Sequence, residues 1–271
     1  MEEAIAIGER PEPLTADDVL AIHPTLMAGE PERVRPGQFL REQNWVGGRL
    51  NTPLDARFIP PPEDAVDRFI ADLLAFLARE DVPPVAQAAI GHAQFETIHP
   101  FVDGNGRIGR CLIHVVLRRT GLAPRFVPPV SIVLAARPSS YVDGLVAFRE
   151  GRVAAWCASF AGACERAARL SVELAEAVRG LQEQWRSRAG HPRRDSAAAR
   201  IIEVLPAQPI LSAATLRAAI AASHQRALDG LKALADAGVV RQMTETSYDR
   251  QFAADELFDL IETYEDRIAA P

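Results

Sequence analysis

From residue 151 to residue 188 the chain has no proline, and within that span only Gly162 and Gly180 interrupt a run dominated by Ala, Leu, Glu and Arg. Side chains of that kind lose little rotamer freedom in a helix, and nothing in the run alternates with the two-residue period of a strand. The segment predicts one long helix or a helix pair. The same helical spacing recurs upstream, so it sets the class of the chain as mainly α. Val66, Phe69, Ile70, Leu73, Leu74 and Leu77 line one helix face after Pro60-Pro61-Pro62. Thr15 with Asp17 and Asp18 starts a helix carrying Val19 and Ile22, which Pro24 is expected to kink or end. Pro84 suits the first turn of a helix through Val85, Ala89 and Ile90 towards Glu96 that must stop before Pro100. A further helix carries Ile108, Cys111, Leu112 and Val115 on one face, with Arg118 and Arg119 in its last turn and Gly121 as its stop.

The periodicity breaks twice. Residues 44–60, NWVGGRLNTPLDARFIP, hold Gly-Gly, Pro and alternating side chains, which predict a short β-hairpin or flap. The stretch AGHPRRD (189–195) reads as a linker. The expected division is a domain over 1–189, a linker over 190–195 and a small domain over 196–271. In that last part a helix over 196–205, a second in LSAATLRAAIAAS, a third closed by Gly238, an alternating stretch and a final helix follow one another. Three helices and a hairpin in that order predict a winged helix-turn-helix.

Composition excludes some roles. A net charge of −6 and a pI near 5.6 argue against a protein that coats nucleic acid or an anionic membrane as a whole. No stretch approaches eighteen consecutive apolar residues, and the acidic start MEEAIAIGER is unlike an export signal. Cys111, Cys157 and Cys164 are an odd set without CxxC spacing, read as reduced core thiols. A cytoplasmic protein is expected.

The densest chemistry lies in HPFVDGNGRIGR, residues 99–110. Gly104, Asn105 and Gly106 stand at a helix entrance, where backbone N–H groups and the positive end of the macrodipole cradle an anion. Arg107 and Arg110 lie on that same first turn, where the dipole disfavours cations unless an anion compensates them. Guanidinium forks match phosphate oxygens bidentately, so the pair points to a bound polyphosphate. Asp103, a hard oxygen donor one residue before the cradle, is placed to hold Mg²⁺ bridging the phosphates. His99 supplies a base that can take the proton of an attacking hydroxyl. The set would position a nucleoside triphosphate and activate a nucleophile against one of its phosphates.

These residues fill every specified position of the Fic family signature, His-Pro-Phe-x-Asp/Glu-Gly-Asn-Gly-Arg-x-x-Arg, and the chain resembles that family over roughly residues 1–185. RPGQFLREQNWVGG, ARFIPPPEDAV and AIGHAQFETIHPF add to the likeness. The resemblance implies a helical Fic fold that transfers AMP from ATP to a Ser, Thr or Tyr hydroxyl of a target protein and releases pyrophosphate. It implies His99 as general base, Asp103 as the Mg²⁺ ligand, Gly104, Asn105 and Gly106 as the anion hole, and Arg107 and Arg110 on the outer phosphates. The flap would pair in β fashion with the target backbone. In the Doc branch the position of Gly106 is Lys and the enzyme is a kinase, so Gly106 favours AMP transfer. The family's inhibitory Ser/Thr-x-x-x-Glu-Gly/Asn motif is not found in the chain. It is expected either to have been removed upstream of Met1 or to be supplied by a separate partner.

Other residues carry less. Tyr141 could border the adenine, although an aromatic at a helix start is more often core. His92 and His114 read as structural, Trp156 and Phe160 as a core stripe, and Arg193 and Arg194 as a solvated linker. The alternative function is a nucleotide-sensing DNA-binding regulator. Its recognition helix would offer Ser223, His224, Gln225, Arg226 and Lys232, a thin basic inventory beside DELFDLIETYED. A protein-interaction or homodimer module fits that composition at least as well, and a third option changes only the nucleotide transferred.

Overall fold

The computed structural model describes residues 2–29, 35–48, 52–244 and 250–269, and divides into two compact units, 1–168 and 169–271. The first unit holds helices α1 (Glu2–Glu9), α2 (Ala16–Leu26), α3 (Val66–Leu77), α4 (Pro84–Ile98), α5 (Asn105–Arg119), α6 (Val130–Ala135) and α7 (Pro138–Arg149). Helix α8 (Val153–Arg188) is continuous, and the boundary falls within it. Among the described residues no helix is long and apolar enough to cross a membrane.

Local chemistry sets these bounds. Thr15 and Asp18 form a reciprocal capping box at the start of α2. Pro24 lies inside the last turn of α2, which runs on to Leu26. Pro84 opens α4, and Gly121, at φ +71°, follows the end of α5. Ile108, Cys111, Leu112 and Val115 of α5 pack with Phe95, Ile98, Phe101, Ile70 and Leu73 into one core. Burying each large apolar side chain there is worth about 1.5–3 kcal/mol, and that packing holds α5 against α4. Trp156 is fully buried and donates its indole N–H to Ala89 O at 2.7 Å.

The hairpin expected over 44–60 is present as a single antiparallel bridge, Val46 to Phe58, with Val46 N–H donating to Phe58 O at 2.9 Å. A 3₁₀ turn, Pro53–Asp55, follows the gap, and residues 49–51 of the flap lie outside the described set. Two glycines and a proline in so short a stretch shorten the ladder, since Pro lacks a donor.

In the second unit, α9 (Ala197–Val204), β1 (Ile210–Ser212), α10 (Ala213–Ala219), α11 (His224–Asp236), β2 (Arg241–Gln242), β3 (Gln251–Ala253) and α12 (Asp255–Ala269) follow in order. The strands form an antiparallel sheet in the order β1-β3-β2, with Leu211 opposite Phe252. Two features differ from the sequence reading. The stretch read as a helix from Leu211 begins with a strand, because Ser212 is spent as the N-cap of α10. The stretch read as a linker, 190–195, lies inside this unit, because Trp185, fully buried, packs with Ile201, Ile202, Leu231 and Leu257 and donates to Glu256 Oε2 at 2.7 Å. Residues 245–249 of the expected wing fall outside the described set.

Candidate active site

Pro100 forbids α4 to continue, and the chain leaves it through His99 in the left-handed region, at φ +51° and ψ +56°. A non-glycine residue there costs about 1 kcal/mol, which the surroundings must hold in place. They do so through the backbone. His99 N–H donates to Phe95 O at 2.9 Å, and Asn44 Nδ2 donates to both His99 O (3.3 Å) and Phe101 O (3.1 Å). Burial pushes the half-buried His99 imidazole down to about 4, so the ring is neutral at pH 7.

The loop after His99 hangs on Phe101, which is fully buried and stacks on His23 with ring centroids 4.1 Å apart. Gly37 N–H donates to His23 Nδ1 at 2.9 Å, so the other ring nitrogen carries the proton and donates to Asp103 O at 3.1 Å. Asn105, buried, closes the turn: its Oδ1 accepts from Phe101 N–H at 2.9 Å and its Nδ2 donates to Phe101 O at 2.7 Å. The side chain of Asn105 is thus engaged with the loop, and what this residue offers an anion is its backbone.

Gly104 caps α5 at φ +82°, and a Cβ there would lie 2.6 Å from Met27 Sδ. Only glycine fits both constraints. The first intrahelical bond of α5 runs from Ile108 N–H to Gly104 O at 3.0 Å, so the N–H groups of Asn105 and Gly106 have no intrahelical acceptor. Asp103 is exposed beside them; its Oδ1 accepts from Gly104 N–H at 2.6 Å and stands 3.7 Å from Arg107 Nη2. Arg107 also donates from Nη1 to Leu26 O at 3.0 Å, at the carbonyl end of α2. Arg110 keeps to the turn: its Nη1 lies 3.1 Å from where a Cβ of Gly106 would be.

Behind the turn lies a second polar layer. His92, buried and pushed down to about 4 by burial, pairs through Nε2 with Tyr141 Oη at 2.9 Å. Burial also raises the Tyr141 phenol, which packs edge-on against Trp156. Burial lifts the carboxyl of Glu96 to about 7 against the pull of Arg110 and Arg149. The Arg149 guanidinium lies 4.0 Å over the ring of Phe58 on the flap. Sequence reasoning passed over His23, Asn44, Glu96 and Arg149. One signal was present: His92, Glu96 and His99 recur at i, i+4 and i+7, a polar stripe on one face of α4.

The motif residues therefore converge on one helix entrance: a neutral imidazole, two N–H groups, an exposed carboxylate and two guanidiniums. Among the described residues no group of three His, Cys, Asp or Glu side chains could hold a metal. The exposed Asp103 carboxylate suits Mg²⁺, which takes one or two protein carboxylates and draws its remaining ligands from phosphate and water.

The chain is similar to known proteins over the part that carries this site. Residues 13–117 match the Fic/DOC family model. Protein adenylyltransferase Fic of Drosophila erecta is 33% identical over 118 residues, 42% of this chain and 22% of that protein. Protein adenylyltransferase fic-1 of Caenorhabditis elegans is 30% identical over 118 residues, 42% of this chain and 21% of that protein. The match thus spans about a fifth of the length of these relatives. The crystal structure of a Fic family protein from Desulfovibrio desulfuricans superposes with a TM-score of 0.52 at 26% identity, covering 93% of this chain and 73% of that one.

Proposed function

We propose that this chain, which carries a Fic/DOC domain, is a protein adenylyltransferase that moves AMP from ATP to a Ser, Thr or Tyr hydroxyl of a target protein. The observation that carries the reading is the placement of a neutral His99 at a helix entrance lined by backbone donors and guanidiniums. In the reaction the hydroxyl oxygen bonds to the α-phosphorus, the bond from that phosphorus to the bridging oxygen breaks, and pyrophosphate leaves. His99 accepts the hydroxyl proton; a ring already neutral at pH 7 is in the form this step requires. The Asn105 and Gly106 N–H groups, with Arg107 and Arg110, hold the phosphates and take up charge developing in the transition state. Asp103 would hold Mg²⁺, which when bound neutralises phosphate charge. The flap, bridged at Val46 and Phe58 and exposing Leu54 and Ile59, would present an edge to the target backbone.

Intact-protein mass spectrometry after incubation with Mg²⁺ and each nucleotide in a lysate tests this, because the added mass names the group transferred. Expected is an AMP adduct with ATP and none with His99→Ala, while nucleotide binding survives. No adduct from wild type that demonstrably binds ATP would overturn it. No Ser/Thr-x-x-x-Glu-Gly/Asn segment stands in this sequence to engage Arg110, so labelling is expected without an added activator. A cytoplasmic setting, where ATP is abundant, goes with this reading.

A second reading rests on the second unit, whose helix–strand–helix–helix–strand–strand order fits a winged helix-turn-helix. Helix α11 exposes Arg226 and Lys232 but equally Asp229 and Asp236. A balanced face neutralises few phosphates, so a protein partner or a second copy suits it better than DNA. A salt-dependent shift of duplex DNA by the full chain would reverse that preference.

A further inference from the structure

Glu96 lies on α4, three residues before His99, and its carboxyl reaches under the first turns of α5. Cβ atoms built on Gly106 and Gly109 would stand 3.7 Å and 2.7 Å from Glu96 Oε1. The two glycines therefore form a slot that this carboxyl occupies, and a side chain at 109 would close it. A Cβ on Gly106 would also stand 3.1 Å from Arg110 Nη1, so carboxyl and guanidinium lie on the same side of Gly106. Arg149 acts on the carboxyl as well, and its guanidinium rests on the flap's Phe58. Glu96 Oε1 is buried without a hydrogen-bond partner. A buried carboxyl oxygen in that state is costly, and a core residue of the same shape would avoid the cost. Its position is explained if its charge acts at a distance on the cations around it.

We propose that Glu96 is a positioning residue of the nucleotide site: seated in the Gly106/Gly109 slot, it holds the Arg110 guanidinium at the mouth of the phosphate cradle. This rests on the adenylyltransferase reading. Glu96 itself touches no substrate. Its carboxyl acts through Arg110, drawing the guanidinium towards the helix entrance, where the outer phosphates arrive. The alternative effect of a carboxyl here, repulsion of the triphosphate, has the opposite sign, so experiment separates the two.

At pH 8, where the Glu96 carboxyl is largely ionised, Glu96→Gln keeps the shape and removes the charge. Expected is a rise of about tenfold in the KM for ATP with kcat little changed, in line with couplings between neighbouring charged groups. The melting temperature, which a merely structural role would move, stays near wild type. In an Arg110→Ala background Glu96→Gln should add nothing, because the residue it acts through is gone. An unchanged or lowered KM for Glu96→Gln overturns the proposal, as does full additivity with Arg110→Ala. Direct ATP binding, measured by calorimetry on the same variants, keeps the test separate from the parent reading. If no transfer is seen for wild type, the reading of function fails, while the shift in ATP affinity still decides the role of Glu96.

Discussion

Replacing Gly104 by Ala tests how the phosphate cradle is held. The residue sits at φ +82°, where a side chain costs about 1–2 kcal/mol. The new Cβ would stand 2.6 Å from Met27 Sδ, and Met27 is only 2% exposed, so the sulfur has little room to retreat. Overpacking of that kind adds about 1–3 kcal/mol. The stiffer unfolded chain returns about 0.4–1 kcal/mol, which leaves a net loss of roughly 2–4 kcal/mol. Urea denaturation followed by circular dichroism reads that loss as a lower midpoint at constant slope. Adding Met27→Ala relieves the contact but not the backbone strain, so measured against Met27→Ala alone, and with the same return from the unfolded chain, Gly104→Ala should cost about 1 kcal/mol. Gly104→Ala within about 0.5 kcal/mol of wild type would refute the reasoning, as would a cost that vanishes in the Met27→Ala background.

Three further outcomes follow from the same geometry. Asn105→Asp keeps the acceptor for Phe101 N–H but sets a second oxygen against Phe101 O, now 2.7 Å from Nδ2; a loss of about 1–3 kcal/mol is expected in urea. Trp185→Ala empties a fully buried site in the second unit and should destabilise it by about 3–5 kcal/mol, read as an earlier circular dichroism transition. His92 and His99 are held near 4 against an ordinary 6.5, so their contribution is fully present above pH 6.5 and is lost as pH falls towards 4, whereas Glu96, raised to about 7, contributes below its ordinary 4.5 and loses that as pH rises through 7. With burial holding down the His23 and His114 rings as well, imidazoles outnumber the one raised carboxyl, so the urea midpoint should drop as pH goes from 6.5 to 4.5, and less so in His92→Gln; a flat profile would contradict the burial of the rings.

Much of the helical frame was legible because the residues that start and stop helices act locally. Thr15 with Asp18, Pro84, Pro100 and Gly121 each sit where their own backbone chemistry requires. The motif was legible for the same reason, being one loop and one helix entrance in twelve consecutive positions. What lay beyond reading is what depends on distant neighbours. Asn44 reaches His99 across 55 positions and His23 reaches Asp103 across 80, and no local pattern marks either pairing. Val178, Leu181 and Trp185 pack into the second core and Gln182 donates to Ile202 O at 2.9 Å, so the later turns of α8 belong to the second unit, which no local pattern in that run of helix formers marks. For Asn105 the place of its backbone N–H at the helix entrance was legible, whereas the ties of its amide to Phe101 were not.

Buried polar atoms without partners gather where a nucleotide would bind. Asn44 Oδ1 lies at the flap root and Glu96 Oε1 on α4. Each such atom costs about 1–3 kcal/mol in the folded state. Added to the left-handed backbone at His99, they make the ground beneath the motif less stable than the apolar core that carries it. A region of that kind gains most from a ligand that supplies charge and donors. ATP with Mg²⁺ at a hundred times its Kd should stabilise the first unit by about 2.7 kcal/mol, and the gain should grow with the logarithm of concentration. Thermal melting across an ATP titration reads it directly. Because Arg107 already has Leu26 O and Asp103 as partners while Arg110 faces the turn, Arg110→Ala should erase more of the gain than Arg107→Ala. Equal losses, or a gain that survives without Arg110, would mean that the triphosphate is gripped elsewhere.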